Sequence, residues 1–202
     1  MPPQPRRRLI LAVAVATVVS ALVTGCSSDP LAEQYRAGSG KNYIAGDGSV
    51  TEIAPENRGE PIDFTGTTLE GQTLTASDLR GHPVVVNFWY AGCAPCRKEA
   101  PDLEAVYRDV SPLGVSFVGV NVRDGAATAA TFNESFGITY PSLTDQDGRV
   151  QLAFTSNVPP NAVPSTLVLD SSGRVAARIL GALADRSILE SILDTVLSED
   201  AP

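Results

Sequence analysis

The sequence predicts an α/β fold in which a mixed β-sheet carries helices on both faces. Two runs of β-branched and aromatic residues, 83–89 and 115–122, have the composition of strands buried on both sides. The segment 97–110 between them has helical periodicity, with Leu103 and Val106 on its predicted inner face. A strand, a helix and a second strand in this order indicate a βαβ unit, which places its two strands parallel in one sheet.

The remaining elements follow from local patterns further along the chain. Thr73-Leu74 predicts a short strand, and residues 75–79 predict a capped helical turn. The apolar pattern then predicts, in order, a helix within 126–136, a strand at 166–170, a turn at 171–173, an antiparallel return strand at 174–180 and a closing helix near 185–197.

The N-terminus has the pattern of an exported lipoprotein. Three arginines at 6–8 precede an uncharged apolar run at 9–23, and the sequence Val23-Thr24-Gly25-Cys26 resembles a bacterial lipobox. The run is shorter than the ~20 apolar residues of a membrane span. We therefore expect residues 1–25 to be a cleaved signal peptide and Cys26 to carry a lipid that anchors the protein to the cell membrane, outside the cytoplasm. The alternative is an uncleaved helix with an incidental cysteine.

Residues 26–57 are predicted to form a tether that contains a small N-terminal hairpin. They are rich in Ser, Gly, Asp, Asn and Glu and poor in apolar runs, which is typical of flexible segments. Within them, residues 43–45 and 50–53 flank Gly46-Asp47-Gly48, and this pattern predicts the hairpin. The globular pattern follows, and we place the folded domain at residues 58–200.

The charge of the chain limits its partners. Its formal net charge is −8, and loss of residues 1–25 removes three arginines and no acid, so the mature chain carries −11. Such acidity disfavours binding of nucleic acid, and of an anionic membrane surface by charge alone. Apolar residues make up 43% of the 202 residues, which is enough for one domain with a sizeable core.

Cys93 and Cys96 form a C-x-x-C pair between a predicted buried strand and a predicted helix. A helix N-terminus presents unpaired N–H groups and about half a positive charge, and both favour a thiolate. Cys93 is therefore the predicted exposed nucleophile. Cys96, nearly one turn later, is predicted to be more buried and to resolve the mixed disulfide. Pro95 suits the first turn because it has no N–H and its φ is preset.

Other roles for the pair fit the sequence less well. A structural zinc site needs four Cys or His ligands, whereas this chain has three cysteines, one of them predicted to be lipidated, and the single histidine His82. The haem attachment motif C-x-x-C-H fails because residue 97 is Arg. A passive structural disulfide is a third alternative. We expect no metal and no cofactor, and we interpret His82 as a turn residue.

The stretch around the pair resembles the active-site stretch of the TlpA-like family of thioredoxins; it reads Asn87-Phe88-Trp89-Tyr90-Ala91-Gly92-Cys93-Ala94-Pro95-Cys96-Arg97-Lys98-Glu99-Ala100-Pro101. The resemblance extends from about Arg58 to Leu197 and includes residues 69–74, 145–148 and 163–166. It implies a thioredoxin-like fold with the insertion of TlpA-like proteins, and an exported thiol–disulfide oxidoreductase. The tether and the hairpin also resemble actinobacterial lipoproteins of this type.

The resemblance implies roles for further residues. Val163-Pro164 matches the family's cis-proline, which lies opposite the disulfide and helps to bind substrate chains. Glu99 matches an acid close to the dithiol, and it shares a helix face with Cys96, three residues earlier. We hypothesise that Glu99 shuttles a proton to or from Cys96; the alternative is a solvated surface acid.

Three more positions shape the predicted site. Trp89 and Pro95 complete the predicted substrate-binding set, although core packing beneath the motif is the favoured interpretation of Trp89. The family usually has Trp directly before the first cysteine, where this chain has Gly92, so a less aromatic and more open rim is expected. Asn87 stands where thioredoxin has a buried aspartate, and it cannot titrate.

The predicted function is exchange of disulfides with thiols or disulfides of exported proteins, with a membrane redox partner that supplies or accepts electrons. Similar proteins often reduce apocytochrome cysteines before haem attachment, so reduction linked to cytochrome c maturation is the favoured direction. The alternatives are oxidative folding on the same fold and a redox-inert binding lipoprotein. A peroxiredoxin is disfavoured because Val86 and Tyr90 stand where that class has Pro and Thr or Ser.

Overall fold

Eight strands form one mixed sheet within residues 49–159 and 161–199, which are described by a computed structural model. The strands are β1 (Ser49–Glu52), β2 (Thr65–Thr68), β3 (Thr73–Thr75), β4 (Val84–Trp89), β5 (Ser116–Asn121), β6 (Ser142–Thr144), β7 (Ser165–Leu169) and β8 (Val175–Leu180). The α-helices of the same residues are α1 (Ala94–Val110), α2 (Ala126–Phe136), α3 (Arg149–Ala153) and α4 (Arg186–Glu199). Short 3₁₀ turns span Pro55–Asn57, Ala76–Leu79 and Ser111–Leu113.

The strand order is β1-β8-β7-β4-β5-β6-β2-β3. Strands β4, β5 and β6 are parallel, and the other neighbours are antiparallel. β4 lies between β7 and β5, and all six of its residues are buried. This confirms the βαβ unit and the thioredoxin-like mixed sheet that the sequence predicts.

The two faces of the sheet are covered by different elements. On one face, Val85 of β4 and Phe117 of β5 belong to a buried cluster that includes α1 and α4, through residues such as Leu103 and Leu193. On the other face, Phe88 of β4 contacts a cluster that includes α3 and the segment after it. Side chains alternate between the faces of a strand, so β4 contributes to both cores.

Most of the predicted elements are confirmed with shifted ends. The helix predicted to begin at residue 97 begins at Ala94, because Cys93 caps it, and the strand predicted at 166–170 is β7. The Thr75–Leu79 region forms the predicted turn, with Thr75 and Asp78 joined in a capping box. His82 lies in a bend before β4. Strands β2 and β6 and helix α3 were not predicted, because each has only three to five residues and too little apolar periodicity.

The predicted tether is partly folded. Its residues 49–52 form β1, which pairs antiparallel with β8, and Ile53 N–H donates to the Ala176 carbonyl. The folded part of the chain therefore begins no later than Ser49, ahead of the predicted boundary at residue 58. The first arm of the predicted hairpin, the signal peptide and Cys26 lie outside the described residues. None of the helices described is long and apolar enough to cross a membrane.

Candidate active site

Cys93 and Cys96 are joined by a disulfide at the start of α1. Cys93 is the N-cap residue, and its Sγ accepts the backbone N–H of Cys96 at 3.2 Å. Pro95 lies in the first turn, half-buried, where its missing N–H removes no helical hydrogen bond. In the reduced protein the same N–H and the helix dipole stabilise negative charge on the Cys93 sulfur. The dithiol therefore has the placement that the sequence predicts.

Both cysteines are buried in the disulfide form. Cys93 is 0% exposed and Cys96 is 2% exposed, so the prediction of an exposed Cys93 is wrong for this form. Both cysteines belong to a buried apolar cluster, which also contains Trp89, Tyr90 and Val163. An attacking thiolate reaches Cys93 only when part of this cluster moves.

The other predicted binding residues lie around the disulfide. The Val163–Pro164 peptide bond is cis, as the resemblance implies, and both residues are buried immediately before β7. Trp89 is only 3% exposed, and its ring lies 4.3 Å from that of Phe132 on α2. Trp89 therefore packs beneath the dithiol, and its part in substrate binding stays a prediction, as it does for Val163 and Pro164, which are also buried.

Glu99 is the central polar residue beneath the dithiol. It is 1% exposed, so it is not a solvated surface acid. Its Oε1 accepts Asn87 Nδ2–H at 3.0 Å, and its Oε2 accepts the Leu183 N–H at 2.8 Å. Burial raises the pKa of Glu99 to about 7, although the hydrogen bonds from Leu183 and Asn87 favour the charged form. A carboxyl group with this pKa accepts and releases protons near neutral pH.

Asn87 links Glu99 to the strand that follows the cis-proline. Its Nδ2 donates both to Glu99 and, at 3.0 Å, to Thr166 Oγ1 on β7. The side chain is buried on β4, six residues before Cys93. A neutral amide at this position gives Glu99 a hydrogen-bond donor without adding a second carboxylate.

Asp124, which is not among the predicted site residues, fixes the segment that leads to Cys93. Asp124 Oδ2 accepts the Ala91 N–H at 2.6 Å and Asn121 Nδ2–H at 3.0 Å. Asn121 Oδ1 in turn accepts the backbone N–H groups of Arg123 and Asp124. Asn121 ends β5, which is parallel to β4, so these side chains meet at the same edge of the sheet as the dithiol. Polar residues directly after a parallel strand were the available signal.

Two arginines contact the Tyr90–Gly92 segment that leads to Cys93. Arg97 Nη1 donates to the Ala91 carbonyl at 3.3 Å, and its guanidinium carbon is 5.0 Å from the Phe136 ring centroid. The Arg123 guanidinium carbon lies 3.9 Å from the Tyr90 ring centroid. Both arginines are exposed, and so is Gly92, which adds no side chain beside Cys93.

A dithiol at a helix N-terminus, a neighbouring cis-proline and a thioredoxin-like sheet together define a class, the thioredoxin-like protein disulfide oxidoreductases. Residues 59–178 match the AhpC/TSA family, and the chain belongs to that family.

Comparison with known proteins supports this class. The chain is 36% identical over 133 residues to the thiol-disulfide oxidoreductase ResA of Geobacillus kaustophilus, covering 64% of this chain and 74% of that protein. It is 32% identical over 136 residues to ResA of Bacillus subtilis, covering 66% and 74%.

Two solved structures show the same fold. A DsbF homologue from Corynebacterium diphtheriae has a TM-score of 0.64 at 30% identity, covering 76% of this chain and 98% of that one. A secreted thiol-disulfide isomerase from Corynebacterium glutamicum has a TM-score of 0.68 at 29% identity, covering 77% and 96%.

Proposed function

We propose that this protein is an exported, lipid-anchored oxidoreductase of the TlpA-like type, which reduces disulfides of exported proteins. The observation that carries the proposal is the Cys93–Cys96 pair at the start of α1, one turn before the buried carboxyl group of Glu99. The N-terminal pattern of residues 1–26 supports export and lipidation of Cys26. The similar thiol-disulfide isomerase of Corynebacterium glutamicum is a secreted protein, which also supports export.

The reaction begins with the reduced dithiol. The Cys93 thiolate attacks one sulfur of a substrate disulfide, a mixed disulfide forms, and the first substrate sulfur leaves as a thiolate that takes up a proton. Cys96 then gives its proton to the Glu99 carboxylate and attacks the Cys93 sulfur. The second substrate sulfur leaves as a thiolate, the internal disulfide seen here is formed, and Glu99 holds the proton of Cys96. An external dithiol donor, a membrane redox protein in this proposal, returns two electrons and is itself oxidised to a disulfide. Glu99 then gives its proton back to Cys96, and Cys93 is again a thiolate.

The role of Glu99 follows from its position. Residues three apart on a helix have Cβ atoms about 5–6 Å apart, so the Glu99 carboxyl group is a near neighbour of Cys96. Because burial raises its pKa to about 7, Glu99 can accept and release a proton near neutral pH. The Glu99→Gln variant should therefore release the mixed disulfide more slowly, by about 10²-fold, and its rate should lose the inflection near pH 7.

Glu104→Gln is the matched control, because Glu104 is a second buried glutamate of α1. It bonds to Thr139 and Arg108, away from the dithiol. Its release rate should retain the inflection of the unmodified protein. An unchanged pH profile in Glu99→Gln would contradict proton transfer by Glu99.

Trapping identifies the substrates. A Cys96→Ser variant retains the nucleophile and cannot release the mixed disulfide, so it should accumulate partners on Cys93. Recovery of apocytochrome c or of a cytochrome maturation protein would support the reductive assignment. A reduction potential close to the −120 mV of strong periplasmic oxidants would instead support oxidative folding.

A peroxidase is the second candidate, because the AhpC/TSA family model covers most of the domain. Val86 and Tyr90 stand where peroxiredoxins have Pro and Thr or Ser, and both are buried. These residues disfavour a peroxidase, so we expect negligible consumption of hydrogen peroxide with a dithiol donor. Rapid consumption of hydrogen peroxide would instead support the peroxidase.

The lipid anchor has its own test. The unmodified protein should partition with membranes, and the Cys26→Ser variant should lose the acyl mass and the membrane association. Equal membrane association of both proteins would contradict lipidation at Cys26.

A further inference from the structure

A small internal cavity lies beside Cys96. Cys96, Ala100 and Leu103 form one wall of it, because positions i, i+4 and i+7 share one face of α1. The residues that line the rest of the cavity include Trp89, Phe132, Asn133 and Tyr140. A volume of about 10 Å³ is open to the centre of a water molecule, so the cavity has room for one water.

Two polar side chains at the cavity have hydrogen-bonding capacity that the fold does not use. Asn133 Nδ2 donates to Ser142 Oγ at 3.1 Å, whereas Asn133 Oδ1 is buried and accepts no hydrogen bond from the described residues. The Tyr140 side chain is 6% exposed, and its hydroxyl forms no hydrogen bond within the described part of the chain. Burial and the negative charges of Glu99 and Glu104 raise the pKa of Tyr140, so the hydroxyl keeps its proton and can donate. Internal waters commonly satisfy buried polar groups of this kind.

Solvent lies close to the cavity on one side. Asn133, Ile138 and Tyr140 line both the cavity and an open surface groove of about 390 Å³. One layer of side chains therefore separates the cavity from the groove. Asn133 is only half-buried, so a movement of its side chain gives water a short entry path.

We propose that this cavity binds one water molecule, held by the Tyr140 hydroxyl and Asn133 Oδ1, which donates a hydrogen bond to the Cys96 thiolate during substrate release. The inference rests on the proposed function, because it concerns the step in which Cys96 attacks the Cys93 sulfur. The proton of Cys96 still passes to Glu99, and the water keeps both of its own protons. Tyr140 and Asn133 are thus positioning residues that act through the water.

The need for such a water follows from the surroundings of Cys96. Cys96 is 2% exposed, and in the disulfide form no N–H or O–H group of the described residues donates a hydrogen bond to its sulfur. A buried charge without a hydrogen-bond donor is costly. One donor to the thiolate stabilises the charged form and lowers the pKa of the thiol, which makes the attack on Cys93 faster at neutral pH.

The first test counts long-lived internal waters in the oxidised full-length protein by oxygen-17 relaxation dispersion of water. Ala100→Val enlarges a buried side chain of the cavity wall, so this variant should hold one long-lived water fewer than the unmodified protein. Ala105→Val is the matched control, because it makes the same change on α1 at a half-buried position outside the cavity. Equal counts in the unmodified protein and in Ala100→Val would overturn the inference.

The second test measures the acidity of Cys96 in a Cys93→Ser background, by thiolate absorbance as a function of pH. Tyr140→Phe removes only the hydroxyl that holds the water. At a pH below the midpoint of the titration, it should lower the fraction of Cys96 thiolate about fivefold. An unchanged titration of Cys96 would also overturn the inference.

Tyr107→Phe is the control for the second test. Tyr107 packs in the same aromatic cluster, with its ring 5.5 Å from that of Tyr140, but it does not line the cavity. Glu99 and Glu104 are the carboxyl groups that act on Tyr140, and both remain in the two variants. Tyr107→Phe should therefore leave the titration of Cys96 unchanged.

A combined variant shows whether Tyr140 acts through the water. In the Ala100→Val background the water is already displaced, so Tyr140→Phe should have no further effect on Cys96. A full fivefold effect there would show that the hydroxyl acts on Cys96 without a water, and would overturn the inference. If Ala100→Val does not fold, Tyr140→Phe replaces it in the first test, because a water that loses a partner should leave the long-lived class.

The proposed function can fail separately. Failure of the unmodified, reduced protein to reduce a disulfide peptide would overturn the proposed function. The count of internal waters in the oxidised protein does not depend on that activity. A missing water would overturn only the inference.

Discussion

Two buried carboxyl groups lie near opposite ends of β7 and have opposite surroundings. Glu99, joined through Asn87 to Thr166 near the start of the strand, is bonded by neutral N–H donors only. Asp170, directly after the strand, is bonded by the guanidinium groups of Arg58 and Arg174. Burial alone would raise the pKa of Asp170, but the backbone N–H of Arg174 and the two guanidiniums outweigh it and hold that pKa below its usual value.

The difference separates a structural carboxylate from a reactive one. Because the pKa of Asp170 is lowered in the folded state, this group contributes stability above its unfolded pKa, which is lost as the pH falls through the folded pKa. Glu99 has the opposite sign. Its raised pKa lowers stability as the pH rises from 4.5 to about 7, because the folded state then binds more protons than the unfolded state. At neutral pH, therefore, the buried Glu99 near the dithiol lowers the stability of the fold, and Asp170 at the far end of β7 raises it.

The largest expected effect is at the structural end. Arg58→Met keeps the aliphatic stem but removes the charge, and it leaves Asp170 with one guanidinium and Glu199 with none of its Arg58 contacts. We expect a loss of about 3–4 kcal/mol in the free energy of unfolding, because both side chains of the Arg58–Asp170 pair are buried. Urea unfolding at pH 7 measures it. Arg186→Met removes a half-exposed ion pair and should lower the free energy of unfolding by less than about 1 kcal/mol. Equal losses in the two variants would show that burial of the Arg58–Asp170 pair adds no stability.

The next effect is the pH dependence of stability. The unmodified protein should lose roughly 2–3 kcal/mol from Glu99 between pH 4.5 and pH 8, since its pKa rises by more than two units on folding. Glu99→Gln cannot ionise, so its unfolding free energy should lack this decline. Parallel pH–stability curves for the two proteins would show that the Glu99 pKa is not raised.

A smaller effect is expected at Asp124. Asp124→Ala removes the acceptor of the Ala91 N–H and should cost about 1.5–3 kcal/mol, because hydrogen bonds to charged groups are worth that much. The variant should also alkylate at Cys93 with a shifted pH profile, because the segment before the nucleophile loses its support. A stability loss without any shift in that profile would assign Asp124 a structural role alone.

The smallest effect concerns the link between Asn87 and β7. Thr166→Val removes the acceptor of one Asn87 N–H while preserving the shape of the side chain, and it should cost about 1 kcal/mol. Ser165→Ala is the comparison, because the Ser165 hydroxyl donates to the Ala162 carbonyl and does not touch Asn87. Only the Thr166 variant should alter the pH at which Glu99 titrates.

The sequence predicted the secondary structure around Cys93 and Cys96 better than the buried contacts beneath them. The apolar run of β4 and the helical period after it place Cys93 at a strand-to-helix junction, because both signals are local. The sequence left two alternatives for Glu99, a proton shuttle and a solvated surface acid. It could not decide between them, because the hydrogen-bond donors of Glu99 come from Asn87 on β4 and Leu183 after β8. Helical spacing cannot show which donors from distant segments meet the carboxyl group of a helix residue.

The contact between Asp124 and Ala91, and the buried state of Cys93, could not be predicted from sequence patterns for the same reason. The carboxylate of Asp124 meets a backbone N–H that is 33 positions earlier in the chain, and only the parallel pairing of β4 and β5 brings the two together. Cys93 is buried in a cluster that includes Val163, 70 positions later. Local composition predicts elements, whereas contacts across the sheet require the register of the strands.

The proximity of Glu99 to Cys96 has a consequence for titrations of the reduced protein. A thiolate and a carboxylate that share one buried neighbourhood repel each other, so ionisation of either group makes the second ionisation harder. Thiolate absorbance should then rise with pH in two steps. The apparent pKa of each step describes the interacting groups together and cannot be assigned to a single residue. Reactivity measured at one pH therefore reports how many protons the whole cluster holds.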